Sequence, residues 1–275
     1  MFKLVIYLTL ALLASARTIP AADSRIYHTE YNWHKDQASG YLETSNPGAY
    51  IKTSFNGTSI SLTLDDPLSK EPFATLAWTV DNAPEQTLQL PGTSNHVQLA
   101  SNLTQGNHSL FFYLKNVEFI DRWFSPKIRV KIMNITIDQN ATLFSPTLAP
   151  KRLLTYGGSI TEGYNIYGND GPLESDDSHA TWAFALALAL DAEISVVGWC
   201  GQGYSVGGVS NIPPLWDASG SANQSGWNWL SAQHKRSFDT CPDYILSGHG
   251  TNDARSTSQV AYEHIMGWLK DMRKA

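Results

Sequence analysis

A serine set just after a glycine pair, a second glycine-bearing loop and a Gly-Thr-Asn-Asp tetrad are the parts of this chain suited to acyl transfer. The stretch Leu153-Leu154-Thr155-Tyr156-Gly157-Gly158-Ser159-Ile160-Thr161-Glu162-Gly163 begins as an apolar run that reads as a buried strand. Glycine accepts backbone angles that other residues resist, so a strand stopping at Gly157-Gly158 can turn sharply. Such a turn lifts Ser159 off the carboxyl edge of a sheet, where open α/β folds bind ligands. Two more apolar runs end alike: 193–199 leads into Cys200-Gly201-Gln202-Gly203, and 243–247 into Gly248-His249-Gly250-Thr251-Asn252-Asp253. Acyl transfer needs a nucleophile and donors aimed at the oxygen that becomes an oxyanion. Ser159, a glycine N–H of the second loop and the Asn252 amide supply those parts if the three runs are parallel strands ending on one edge.

The elements that must hold these loops follow a strand–loop–helix grammar from residue 151 onward. Strands are expected at 152–156, 193–199 and 243–247. Residues 181–190 are rich in alanine and leucine and read as a helix, apolar on nearly all sides and therefore buried. An amphipathic helix follows at 257–273, with Val260, His264, Trp268 and Met272 on one stripe. Alternating β and α predict a parallel sheet with helices on its faces. Earlier, from about 25 to 145, the period is two. Ile51, Thr53 and Phe55 alternate with Lys52 and Ser54, Asn56-Gly57 reads as a type I′ hairpin turn, and Ile60, Leu62 and Leu64 alternate with Ser59, Ser61 and Thr63. Further strands at 75–80, 86–90, 96–99, 109–114 and 128–137 complete the pattern of a β-sandwich or jelly roll. A linker at 143–151, carrying Pro146 and Pro150, divides the two grammars. His28, His34, His96 and His108 are scattered through the first half and form no catalytic cluster.

Composition narrows the setting. The 275 residues are 42% hydrophobic and 16% charged, with net charge -6 and no Lys/Arg run, which argues against nucleic-acid or anionic-membrane partners. Nine tryptophans are many, and some are suited to stacking on sugar rings. Met1-Phe2-Lys3, an apolar run at 4–13 and Ala14-Ser15-Ala16 have the layout of a secretory signal peptide cleaved after Ala16. The apolar run is too short for a comfortable membrane span. Sequons at Asn56, Asn102, Asn107, Asn134, Asn140 and Asn223 agree with export and a glycoprotein. Cys200 and Cys241 are left as either a disulfide or two free thiols, and no zinc-type spacing is present. No metal or cofactor is expected.

Gly157-Gly158-Ser159-Ile160-Thr161, the glycine of the second loop and Gly250-Thr251-Asn252-Asp253 resemble the first three sequence blocks of the SGNH (GDSL-like) hydrolases. With the preceding sandwich, the Pro-bounded linker and Gly198-Trp199-Cys200-Gly201-Gln202-Gly203, the chain is similar to carbohydrate esterase family 2 over roughly residues 28 to 275. That resemblance adds an SGNH-type α/β/α parallel-sheet domain at 151–275 to the signal peptide read at 1–16 and the β-sandwich or jelly-roll domain at 25–145. It also implies a secreted, extracellular enzyme that removes O-acetyl groups from acetylated cell-wall polysaccharide or oligosaccharide. Ser159 would be the nucleophile, Gly201 (with Gly203 nearby) and Asn252 the oxyanion hole, and Asp253 a brace for its loop. Two features depart from the family. Gly158 stands where aspartate is usual before the serine, and no Asp-x-x-His block, the source of the general base, follows Asp253. Among the other histidines, His249, His179 and His264 are the candidates to serve as base. Three strands are found where about five are usual. The expectation is therefore a truncated, incomplete α/β domain with little or no esterase activity. A non-catalytic glycan-binding protein and a lipase or phospholipid hydrolase are the rival readings.

Overall fold

The structure, a computed structural model, describes residues 16–65, 70–124 and 128–275. The expected signal peptide, apart from Ala16, lies outside the described residues. Among the described residues, twelve strands come first: β1 Ala16–Pro20, β2 Tyr27–His28, β3 His34–Lys35, β4 Leu42–Thr44, β5 Tyr50–Gly57, β6 Ile60–Leu64, β7 Ala74–Val80, β8 Gln86–Leu90, β9 His96–Ala100, β10 Gly106–Val117, β11 Val130–Asp138 and β12 Thr142–Phe144, which reaches into the linker. They form two antiparallel sheets, one ordered β3-β4-β11-β6-β9 with β1 beside β11, the other β12-β5-β10-β7-β8 with β2 beside β5. The period-two pattern explains the arrangement, since each strand turns one set of side chains toward the opposite sheet. Ile60, Leu62, Ile132 and Ile135 of the first sheet share a buried core with Ile51, Phe55, Leu76 and Phe112 of the second. Burying each such side chain is worth roughly 1.5–3 kcal/mol before the entropy of ordering is subtracted.

Asn56-Gly57 does not make the expected hairpin. β5 lies in one sheet and β6 in the other, so the chain crosses between sheets at this point. The Asp138 carboxylate fixes the crossing by accepting from the Thr58 N–H, from Thr58 Oγ1 at 3.0 Å and from the Ser59 hydroxyl. A Cβ on Gly57 would come within 2.8 Å of Asp138 Oδ2. The glycine is needed for clearance, not for a left-handed turn, and the sequence pattern does not distinguish the two.

After the linker come β13 Lys151–Gly157, β14 Ala192–Gly198 and β15 Tyr244–Gly248, a parallel sheet in the order β14-β13-β15. The helices are α1 Ser159–Glu162, α2 Pro172–Ser175, α3 Trp182–Leu190 and α4 Ser258–Met272. α3 corrects an expectation. Only Ala183 and Ala187 are buried, a narrow i,i+4 stripe, while Leu188 is 85% exposed. Its uniformly apolar sequence carries no signal for which face packs. In α4, the Thr257 hydroxyl caps the first turn, and Trp268 is buried edge-on to Tyr156 with ring centres 5.5 Å apart.

Buried polar ties join the sandwich to the parallel sheet. Glu193 of β14 accepts from Lys52 Nζ at 2.7 Å, from the Tyr50 hydroxyl and from the Ala149 N–H at 2.9 Å. Asn32 Nδ2 donates to the Val196 carbonyl at 2.6 Å. The deepest tie is the ion pair of Arg122 with Glu162, 0% and 2% exposed. The Arg122 guanidinium also lies 5.2 Å from the ring centre of Phe119 and 4.9 Å from that of Trp199. Removing one member of such a pair strands a charge in the interior, which typically costs about 3–5 kcal/mol, whereas replacing both is far milder. Arg122→Met is therefore expected to lose about that much, and Arg122→Met with Glu162→Gln to recover a large part of it. Denaturant unfolding of both variants measures this; a parent-like Arg122→Met would show that the pair bears no stability.

Candidate active site

β13 is the middle strand, and Leu153, Leu154, Thr155 and Tyr156 are all buried, which fixes its end firmly. Register sets the rest. Gly157 lies opposite Gly198 on one side and Gly248 on the other, so three strand-end glycines form one row across the sheet. The loops that follow leave the same edge at the same level. Ser159 opens α1 and is half-buried. A small pocket of about 20 Å³ is lined by Gly158, Ser159, Gln202, His249, Gly250 and Asn252, among others. That is room for about one water-sized group.

Ser159 and Asn252, separated by most of the α/β half in sequence, thus share one pocket. Gly201 does not line it; its neighbour Gln202 does. The Gly203 N–H is taken by the Val206 carbonyl at 2.8 Å, while the Gly201 N–H meets no acceptor among the described residues. Asn252 Nδ2 donates one hydrogen to the Gln202 carbonyl at 2.9 Å, which orients the amide and leaves its second N–H for a ligand. A Cβ at Gly158 would stand 2.9 Å from that nitrogen, so glycine before the serine leaves the space to the amide.

The second and third loops are fastened to each other. Asp253 accepts from the Tyr204 and Ser205 N–H groups, both at 2.9 Å, and from Ser205 Oγ at 2.9 Å, which suits the bracing role implied by the resemblance. A Cβ at Gly203 would lie 2.6–2.7 Å from all three carboxylate atoms of Asp253. Arg255 adds a clip, with Nη2 donating to the Gly201 carbonyl at 2.6 Å and Nε to that of Asn252 at 3.4 Å. Glu162 reaches back under the first loop to accept the Cys200 N–H. Sequence reasoning missed Arg255, Gln202, Arg122 and Glu162. Gln202 sat within a recognised loop, but nothing in the local sequence pairs Arg122 with Glu162.

Cys200 and Cys241 are free thiols. Burial, with the nearby Glu162 carboxylate, pushes the Cys200 thiol up to about 11, so it stays neutral. Among the described residues no histidine hydrogen-bonds Ser159. His264 Nδ1 is taken by the Trp216 carbonyl at 2.7 Å, and His179 packs on Phe111, Tyr113 and Phe184 against the sandwich. His249 is bonded at both nitrogens, 3.1 Å from Ser247 Oγ and 3.2 Å from Gln202 Oε1. No group of three or more His, Cys, Asp or Glu suited to a metal occurs among the described residues.

Burial pushes His249 and His28 down to about 4, and Asp176 up to about 6. A histidine lowered in the fold binds its proton first when unfolded. Its contribution is complete above about pH 6.5 and is lost as pH falls toward 4. Asp176 acts in the opposite sense, stabilising fully below about pH 4 and losing this as pH rises through 6. Two histidines outweigh one carboxyl, so stability is expected to fall from pH 6.5 to 4, and His249→Gln to flatten that fall. Denaturant midpoints across the window check it; an unchanged slope in the variant would show that the fold does not hold His249 neutral.

The chain resembles known proteins in sequence and in fold. Residues 35–146 match the model of the carbohydrate esterase 2 N-terminal domain. An acetylxylan esterase / glucomannan deacetylase of Cellvibrio japonicus (strain Ueda107) is 25% identical over 253 residues; the match takes in 89% of this chain and 66% of that protein, just under two thirds of its length. A family two carbohydrate esterase structure from Cellvibrio japonicus superposes with TM-score 0.76 at 20% identity, over 95% of this chain and 77% of the other. One from Clostridium thermocellum in complex with cellohexaose gives 0.70 at 18%, over 90% and 74%. The chain is thus similar to the carbohydrate esterases of family 2, in sequence to an acetylxylan esterase / glucomannan deacetylase and in fold to the solved members.

Proposed function

We propose that the chain carries the site of an exported carbohydrate O-deacetylase acting on acetylated polysaccharide of the xylan or glucomannan type. Ser159 is the nucleophile, and the Gly201 N–H and the Asn252 amide receive the oxyanion. The observation that carries this reading is the row of glycines 157, 198 and 248, which delivers Ser159 and Asn252 to one pocket. The pocket's size suits an acetyl methyl group better than a long acyl chain, which weighs against a lipase. The relative's acetylxylan and glucomannan activities supply the substrate class.

A serine with no base is a weak nucleophile. Since His249, His264 and His179 are engaged elsewhere, residues 1–275 alone are expected to hydrolyse acetyl esters only slowly. Loss of the histidine of such a unit costs about as much as loss of the serine, roughly 10⁶-fold in a studied enzyme. Added imidazole can take the missing part. Hydrolysis of p-nitrophenyl acetate by this chain, above the imidazole blank, is expected to rise with imidazole, to vanish in Ser159→Ala and to drop about 10²-fold in Asn252→Ala. An imidazole response that survives Ser159→Ala would contradict the assignment. The same engaged histidines favour a second reading, a glycan-binding protein, which would hold if xylan or glucomannan binds and no acetate is released under either condition.

A further inference from the structure

We propose that His249 is a positioning residue, a neutral strut that holds Gln202 and, through the Gln202 carbonyl, aims the Asn252 amide. The proposal rests on the deacetylase reading of the site and adds a residue to it. Hydrogen-bond direction around His249 is fixed from both ends. Gln202 is fully buried, and its Nε2 donates to the Pro213 carbonyl at 2.7 Å, so its Oε1 must be the atom facing His249. An oxygen at 3.2 Å from the ring can only accept, so His249 Nε2 carries the proton. Nδ1 is then bare and accepts from the Ser247 hydroxyl at 3.1 Å. Ser247 Oγ in turn accepts the Tyr204 hydroxyl at 2.9 Å and, weakly, the His249 backbone N–H at 3.4 Å.

One tautomer therefore satisfies the whole chain from Tyr204 to Pro213. Neither ring nitrogen is left to take a proton from Ser159, although His249 lines the same pocket. The group at the end of the chain is the Asn252 amide, the proposed oxyanion donor. Gln202 is pinned by its side chain at both ends and by its own N–H to the Trp199 carbonyl at 3.0 Å, and its carbonyl receives Asn252 Nδ2 at 2.9 Å. Removing the His249 donor frees Gln202 Oε1 in a buried site and lets the carbonyl that orients Asn252 drift. The titratable groups facing the ring are Tyr204, tilted against it with ring centres 5.3 Å apart, and Asp253, whose carboxylate is held by the Tyr204 and Ser205 N–H groups.

The test uses residues 1–275 with His249→Gln, whose amide N–H replaces the Nε2 donor, and His249→Leu, which has none. Nitrogen-15 NMR of the parent is expected to show His249 protonated at Nε2 only, without titration from pH 5 to 8. The Asn252 side-chain amide signals are expected to move in His249→Leu and to return in His249→Gln. Imidazole-assisted ester hydrolysis should fall about 10- to 100-fold in kcat in His249→Leu with KM unchanged. In an Asn252→Ala background the same substitution should have little further effect, because both act on one donor. A ring protonated at Nδ1, titration near neutral pH, or Asn252 signals indifferent to His249→Leu would overturn the proposal. If Ser159→Ala hydrolyses as fast as the parent, the deacetylase reading fails, while the NMR readouts still decide the strut.

Discussion

Arg122 and Glu162 are both withdrawn from water, and neither could be tolerated there alone, because an unpaired buried charge is among the most unfavourable groups a core can hold. One comes from the sandwich and the other from the short helix that begins with Ser159. Glu162 uses its second oxygen to accept the N–H of Cys200, the first residue of the loop that also carries Gly201. A single carboxylate thus connects the rim of the sandwich, the serine turn and the second loop. Trp199 and Phe119 flank the guanidinium, so the pair is also enclosed by aromatic surface. The sandwich is therefore part of what sets the serine in place.

Parallel register does the complementary work. Because Gly157, Gly198 and Gly248 stand in one row, small errors in any one loop are limited by its neighbours. Asp253, Arg255 and the Gln202 carbonyl then stitch the second loop to the third. Each bond is modest, about 1 kcal/mol net for a neutral pair and more where a charge takes part. Together they leave the Asn252 amide with a single acceptor, the Gln202 carbonyl, among the described residues.

Much of this was legible in the sequence because it depends on local rules. Period-two alternation marked the sandwich strands, and apolar runs ending in glycine marked the three parallel strands within a residue or two. Shared strand ends brought Ser159 and Asn252 to one edge. What failed had non-local causes. Asn56-Gly57 looks like a hairpin, yet Asp138, 80 residues away from Thr58, turns it into a crossing between sheets. The helix at 182–190 is apolar all round, so its sequence could not tell that only Ala183 and Ala187 are buried. His249 stood beside the right loop as one possible base, and only the orientation of Gln202 shows that both its nitrogens are engaged. The Arg122–Glu162 pair has no sequence signature, being a contact between two unrelated stretches.

The central claim is that an acyl carbon held on Ser159 would direct its oxygen between the second and third loops. A crystal structure of the chain with methylboronic acid tests this directly, since a boronate can bond to a serine oxygen and mimic the tetrahedral state without a histidine. The account predicts boron on Ser159 Oγ, with one boronate oxygen about 2.7–3.1 Å from both the Gly201 nitrogen and Asn252 Nδ2. Boron bound elsewhere, or bound to Ser159 with all its free oxygens turned to solvent, would contradict it.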